Sequence, residues 1–133
     1  MVFVNGCFDL LAPHHVAFLE RARNYGKRLI VAINSDRWIT KHKGAERPFY
    51  DLDARRRMLS ALRCVDEVIT FDTEEQLANL IAQYRPVLVK GEEYRGSHVT
   101  GADHACRVIF LEGNYVGGIS NNVVRRIVDA DRD

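Results

Sequence analysis

Short apolar runs alternate along this chain with stretches in which apolar residues recur every three or four positions. The first pattern suits strands buried on both faces and the second suits amphipathic helices, so the alternation predicts a parallel α/β sheet. Residues 2–4 form the first predicted strand. A helix follows over residues 13–25, with Val16, Leu19 and Ala22 on its apolar side and Gly26 as its stop. Residues 28–33 (RLIVAI) are a continuous apolar run and predict a second strand. Asn34, Ser35 and Asp36 offer capping side chains for a short helix ending near Thr40. Residues 41–51 (KHKGAERPFYD) contain Gly, Pro and several cations and read as a flexible loop. Residues 52–62 predict a helix that turns Leu52, Leu59 and Leu62 to the core. Strands are expected at 67–71, 87–89 and 107–111, and Thr73 with Gln76 forms a capping box for a helix to about Tyr84. Residues 90–101 and 112–118 read as loops, and 120–129 as a last helix with Ser120 as its cap.

This order of elements has a consequence for function. In an open parallel sheet, ligands bind beyond the carboxyl ends of the strands, near the point where strand order reverses. The chemically interesting loops here, 6–15, 35–47, 90–94 and 117–122, each follow a predicted strand. Topology therefore brings them to one edge of the sheet.

Composition narrows the partners. The 19 Lys and Arg against 18 Asp and Glu leave no bulk charge that would favour nucleic acid or a membrane surface. No run approaches the roughly 18 apolar residues of a membrane span, and the first residues lack a secretory pattern, so a cytoplasmic location is expected. The hydrophobic share of 47% in a chain of 133 residues is enough for one domain with a core of its own. Cys7, Cys64 and Cys106 are odd in number and widely spaced, neither a disulfide framework nor a CxxC metal site. They read as small buried apolar residues in a reducing compartment, and no metal ligand set is expected.

The stretch VFVNGCFDLLAPHHV carries the strongest chemical signal. An apolar strand, a Gly turn and a helix N-terminus form an anion-binding layout, because unpaired N–H groups and the positive end of the helix dipole face the same space. Gly6 would let another group approach the backbone closely. His14 and His15 sit on the first turn of the helix, within reach of phosphate oxygens. Lys41, Lys43 and Arg47 in KHKGAERP add mobile cations, and Lys90-Gly91 places a lysine directly after a strand end. At Gly118-Ile119-Ser120-Asn121-Asn122, a second helix start offers a hydroxyl and two amides.

GCFDLLAPHHV closely resembles the G-x-F-D-x-x-H-x-G-H signature of the HxGH nucleotidyltransferases, the cytidylyltransferase-like superfamily. Gly6, Phe8, Asp9 and His15 match it, and GISNN resembles the family's G-[IFC]-S-T-T, with Asn121 and Asn122 replacing two threonines. RLIVAINSD, KGAERPFYDLDARR, ALRCVDEV, LVKGEEY and VTGAD are most similar to the heptose-phosphate adenylyltransferase branch, with glycerol-3-phosphate cytidylyltransferases next. The resemblance implies a single Rossmann-like nucleotidyltransferase domain over residues 1–133, with a five-stranded parallel sheet and helices on both faces. It also implies transfer of AMP or CMP from ATP or CTP to a phosphorylated sugar-type acceptor, with Mg²⁺ accompanying the nucleotide, and a homodimer.

By the same carry-over, His15 would stabilise the reacting phosphate, and Lys43 and Arg55 would neutralise phosphate charge. Gly6, Cys7, Phe8, Lys90, Gly118, Ile119, Ser120, Asn121 and Asn122 would contact the nucleotide. Asp9 and Arg47 would bind the acceptor or orient its loop. The chain departs from the family at Ala12, where the first histidine of the signature belongs, and at His14, where the family has Gly. Either His14 substitutes for the missing ring, or the chain is a nucleotide- or sugar-phosphate-binding protein that turns over slowly or not at all.

Overall fold

The structure, a computed structural model, describes residues 1–112. Five strands form one sheet: β1 (Val2–Gly6), β2 (Leu29–Asn34), β3 (Glu67–Phe71), β4 (Val87–Gly91) and β5 (Arg107–Leu111). They lie in the order β3-β2-β1-β4-β5, and every neighbouring pair is parallel. Among the described residues four α-helices lie between the strands, α1 (Pro13–Arg23), α2 (Asp36–Lys43), α3 (Leu52–Ser60) and α4 (Glu74–Tyr84), and two short 3-10 turns, Glu92–Tyr94 and Ala102–His104, join β4 to β5. The expected parallel α/β sheet is present. The predicted loop and helix after residue 112, with Gly118, Ile119, Ser120, Asn121 and Asn122, lie outside the described residues.

Period-two alternation sorts the core into two layers. Val2, Val4, Leu29, Val31 and Ile33 point to the face covered by Phe18, Leu19 and Ala22 of α1 and Leu59 of α3. Phe3, Ile30 and Ala32 point to the opposite face, against Leu77 and Ile81 of α4. All six residues of β2 are buried, which is why its sequence reads as an unbroken apolar run. Helices therefore pack on both faces of the sheet.

Several boundaries differ from the sequence expectation. Helix α1 ends at Arg23, and Gly26 lies three residues beyond, where its carbonyl accepts from Arg23 Nη1 at 2.7 Å. Strand β4 continues through Lys90 and Gly91, which pair with Phe110 and Leu111 of β5, so these two residues belong to the sheet and not to a loop. The larger correction concerns residues 41–43, which extend α2. Trp38 and His42, one turn apart, stack with centroids 4.1 Å apart, and His42 Nδ1 lies 2.9 Å from the Trp38 carbonyl oxygen. Lys41, His42 and Lys43 also sit at the negative end of the helix dipole, until Gly44 at φ 113° stops the helix. Lys41 and Lys43 are thus fixed to a helix.

The cysteines also differ from expectation. Cys7 and Cys64 are half-buried and Cys106 is exposed, so none is a fully enclosed core residue.

Candidate functional site

The ladder between β1 and β2 is complete, from Val2↔Leu29 to Gly6↔Ile33. Between β1 and β4 it pairs only Val2↔Val87 and Phe3↔Leu88. Past Phe3 the two central strands no longer pair, and a cleft opens at their carboxyl ends. This is also where strand order reverses, the position that open α/β sheets use for ligands.

Lys90 and Asn5 form the floor of the cleft, one from each parted strand. Lys90 Nζ donates to Asn5 Oδ1 at 3.1 Å and lies 4.9 Å from the centre of the Tyr94 ring. Burial lowers the Lys90 ammonium pKa, against the opposing pull of Glu74 and Glu93. A strand-end lysine was legible in the sequence, but its partner Asn5 was not, because only the pairing of β1 beside β4 brings the two together.

Gly6 and Phe8 shape the turn above β1. A Cβ on Gly6 would meet Phe8 Cε2 at 3.0 Å, so the group that approaches this glycine is the ring two residues on. Phe8 itself adopts φ 49°. Its ring meets His15 edge to face at 5.6 Å.

The start of α1 is unusual for its cap. Ala12 is the N-cap and has no side-chain acceptor to offer, while Pro13 occupies the first turn. His15 fills the gap from inside the helix: its Nδ1 accepts from the Ala12 N–H at 2.9 Å. The neutral ring then carries its proton on Nε2. Burial, and next the neighbouring His14, lower the His15 pKa to about 4. The His14 ring lies 4.1 Å from that of His15 at 36°.

Three cations converge on the β1 turn. Burial raises the Cys7 thiol pKa, while Lys43, Arg55 and Arg47, in that order, pull it down. The thiol donates to Asn34 Oδ1 at 3.6 Å and stays protonated, which does not suit a nucleophile. Lys43 is exposed at the end of α2. Arg55 is wholly buried and donates to the Cys7 carbonyl (3.0 Å), the Tyr50 carbonyl (3.0 Å) and Asp36 Oδ1 (2.7 Å). Asp9, also buried, accepts from Arg47 Nε and from the Phe49 and Tyr50 N–H groups at 2.9–3.0 Å. Asp36 and Tyr50 as partners were missed in the sequence, since their roles depend on contacts 19 and 41 residues apart.

Gly6, Cys7, Phe8 and Asp9 thus follow one another from the end of β1 into its turn, with Arg47 on Asp9, Arg55 on the Cys7 carbonyl, Lys43 close to Cys7, His15 against Phe8, His14 against His15, and Lys90 reaching Asn5 from β4. Lys41 is placed elsewhere. With Trp38, His42 and Thr73 it lines a pocket of about 360 Å³ whose walls include none of these residues. Among the described residues, no group of three or more His, Cys, Asp or Glu side chains is arranged to hold a metal ion. Among them, too, no helix is long and apolar enough to cross a membrane.

Residues 3–111 match the family described as Cytidylyltransferase-like. The chain is similar to the bifunctional protein HldE of Pseudomonas fluorescens (strain SBW25), with 49% identity over 137 positions, 100% of this chain and 28% of that protein. It is 48% identical to the HldE of Azorhizobium caulinodans over 103 residues, 77% of this chain and 22% of that one. With the HldE of Campylobacter concisus (strain 13826) the identity is 44%, over 100% of this chain and 28% of that protein. The chain therefore spans roughly a quarter of the length of these relatives. Among solved structures, a lipopolysaccharide core biosynthesis protein from Thermoplasma volcanium GSS1 shares the fold at TM-score 0.66 and 21% identity, covering 84% of this chain and 94% of its own.

Proposed function

The chain belongs to the cytidylyltransferase-like family, and from that premise we propose that it transfers a nucleotidyl group from ATP or CTP to a phosphorylated sugar-type acceptor. The observation that carries this reading is the parting of β1 and β4 beside a helix start and three converging cations. Likeness to HldE proteins favours a heptose-phosphate acceptor and ATP.

In the reaction, an acceptor phosphate oxygen attacks the α-phosphorus. The new P–O bond forms as the bond to the β-phosphate oxygen breaks, and its electron pair leaves with pyrophosphate. A phosphate nucleophile is already ionised near neutral pH, so positioning and charge stabilisation supply the catalysis. His15 is suited to donate Nε2–H to a non-bridging oxygen, because the Ala12 N–H occupies its Nδ1. His14, against the same ring, takes the place of the histidine that Ala12 removes. Lys43 meets the charge that builds on the leaving pyrophosphate, and Lys90 on the cleft floor faces the nucleotide. Mg²⁺ would come bound to the triphosphate as part of the substrate, held by phosphate oxygens, since among the described residues no group of three or more His, Cys, Asp or Glu side chains is arranged to hold it.

The test is pyrophosphate release from Mg²⁺-ATP and Mg²⁺-CTP with heptose, glycerol, choline and nucleotide monophosphate acceptors. Release should require one acceptor and fall roughly 10²–10³-fold in His15→Ala, the usual effect of deleting a donor to developing charge. His14→Ala should also lose activity; an unchanged rate would remove His14 from the mechanism. Ala12 favours a second reading, a nucleotide-binding protein without turnover. It would show as a melting temperature raised by ATP or CTP with no pyrophosphate released under any condition. The homodimer suggested by the resemblance is checked by sedimentation of the whole chain.

A further inference from the structure

Residues 44–50 run between α2 and α3 and over Asp9 of the β1 turn with little to hold them by burial. Residues 44–46 are exposed, and Phe49 and Tyr50 keep 40% and 43% of their surface in water. Ordering such a segment costs backbone entropy at every residue, so something other than apolar packing must fix it. The polar contacts do so at both ends. Thr40 Oγ1 donates to the Arg47 carbonyl at 2.6 Å, and the Arg47 N–H donates to the Gly44 carbonyl at 3.1 Å. At the far end, Tyr50 is gripped twice: Asp9 accepts its N–H and Arg55 Nε donates to its carbonyl.

Arg55 makes the arrangement specific. Its guanidinium holds Asp36, the first residue of α2, and Tyr50, the end of the segment after α2. It fastens both to the Cys7 carbonyl in the β1 turn. The unit between those two anchors carries Lys43. Both buried charges have opposite partners: Asp9 has Arg47 and Arg55 has Asp36. Removing one member would leave a desolvated charge, which is far costlier than losing an exposed pair.

We propose that Asp9 and Arg55 are positioning residues that fasten segment 44–50 to the β1 turn and hold Lys43 at the phosphate site before any ligand arrives. The assignment rests on the nucleotidyl-transfer reading, and it gives Asp9 and Arg55 a role different from direct contact with acceptor or phosphate. Their side chains meet the substrate only through the loops they join.

The test combines amide exchange with steady-state kinetics on Asp9→Asn, which keeps the side-chain volume and loses the charge. The Phe49 and Tyr50 amides should exchange about tenfold faster or more, the scale of a lost charge-assisted hydrogen bond, while residues 30–33 of β2 stay protected. The kcat should fall roughly 10–100-fold with nucleotide KM within about threefold, as expected when a catalytic cation is misplaced and substrate binding is not. Arg47→Lys, which keeps a cation beside Asp9 and loses the Nε–H geometry, repeats the measurement should Asp9→Asn fail to fold. Arg37→Gln, which breaks an exposed pair with Asp72, should leave both readouts unchanged. Unchanged exchange at Phe49 and Tyr50, or faster exchange with unchanged kcat, overturns the proposal. If the wild-type protein releases no pyrophosphate, the transfer reading fails and takes the catalytic half of the assignment with it. Amide exchange then still decides whether the fastening exists.

Discussion

A proton arriving at His15 must take the nitrogen that accepts the Ala12 N–H, so protonating the ring breaks the helix cap. Burial and the adjacent His14 act in the same direction, and together they place the His15 pKa near 4, below its ordinary 6.5. The sign follows from proton counting. Between pH 4 and 6.5 the unfolded chain binds a proton that the native state refuses, so this residue makes stability rise with pH across that window and adds nothing to the slope above it. An NMR titration of the ring should show a midpoint near 4, and a midpoint near 6.5 would refute the buried cap. Sequence made the histidine pair and its place on the first turn of α1 visible. It could not show that one nitrogen replaces a missing cap, because that depends on the ring turning back on its own helix.

Helix starts were legible wherever a side chain performs the capping. Ser35 caps α2 by accepting the Trp38 N–H, Asp51 caps α3 through Ala54 N–H, and Thr73 caps α4 through Gln76 N–H. Gln76 differs from a simple capping box, since its side chain accepts from Asp72 N–H, one residue further back. Ser35 has a second duty, donating to Asp72 Oδ1 at 2.5 Å and so tying α2 to the end of β3. Ser35→Ala should therefore cost at least the ~1 kcal/mol typical of a lost N-cap, measured by denaturant unfolding. Helix ends were less legible. The composition of KHKG reads as loop, yet the Trp38–His42 stack and the helix dipole carry α2 to Lys43. Neither effect appears in a pattern of single residues.

At the scale of the whole molecule, the sheet separates two cores that share strands but not side chains. Ile33 belongs to the layer under α1 and α3, and Ile81 to the layer with α4, both fully buried. Ile33→Val and Ile81→Val should each cost about 0.5–1.5 kcal/mol, and the double mutant should equal their sum within about 0.5 kcal/mol. A larger deviation would mean that the layers communicate through the sheet. Parallel architecture was readable from the alternation of elements. The parting of β1 from β4 was not, because register across a crossover leaves no trace in local spacing.

The central place of β1 also bears on how the protein is made. Within this domain the strand is synthesised well before its second neighbour, β4, which begins only at Val87. Until then a newly made chain carries VFVNG with one side of its hydrogen-bonding ladder open, the apolar edge on which foreign strands dock. Translation stalled before Val87 would release a product that both lacks the cleft floor and tends to aggregate. Completing β4 covers that edge at Val2 and Phe3 and brings Lys90 to Asn5 in the same step.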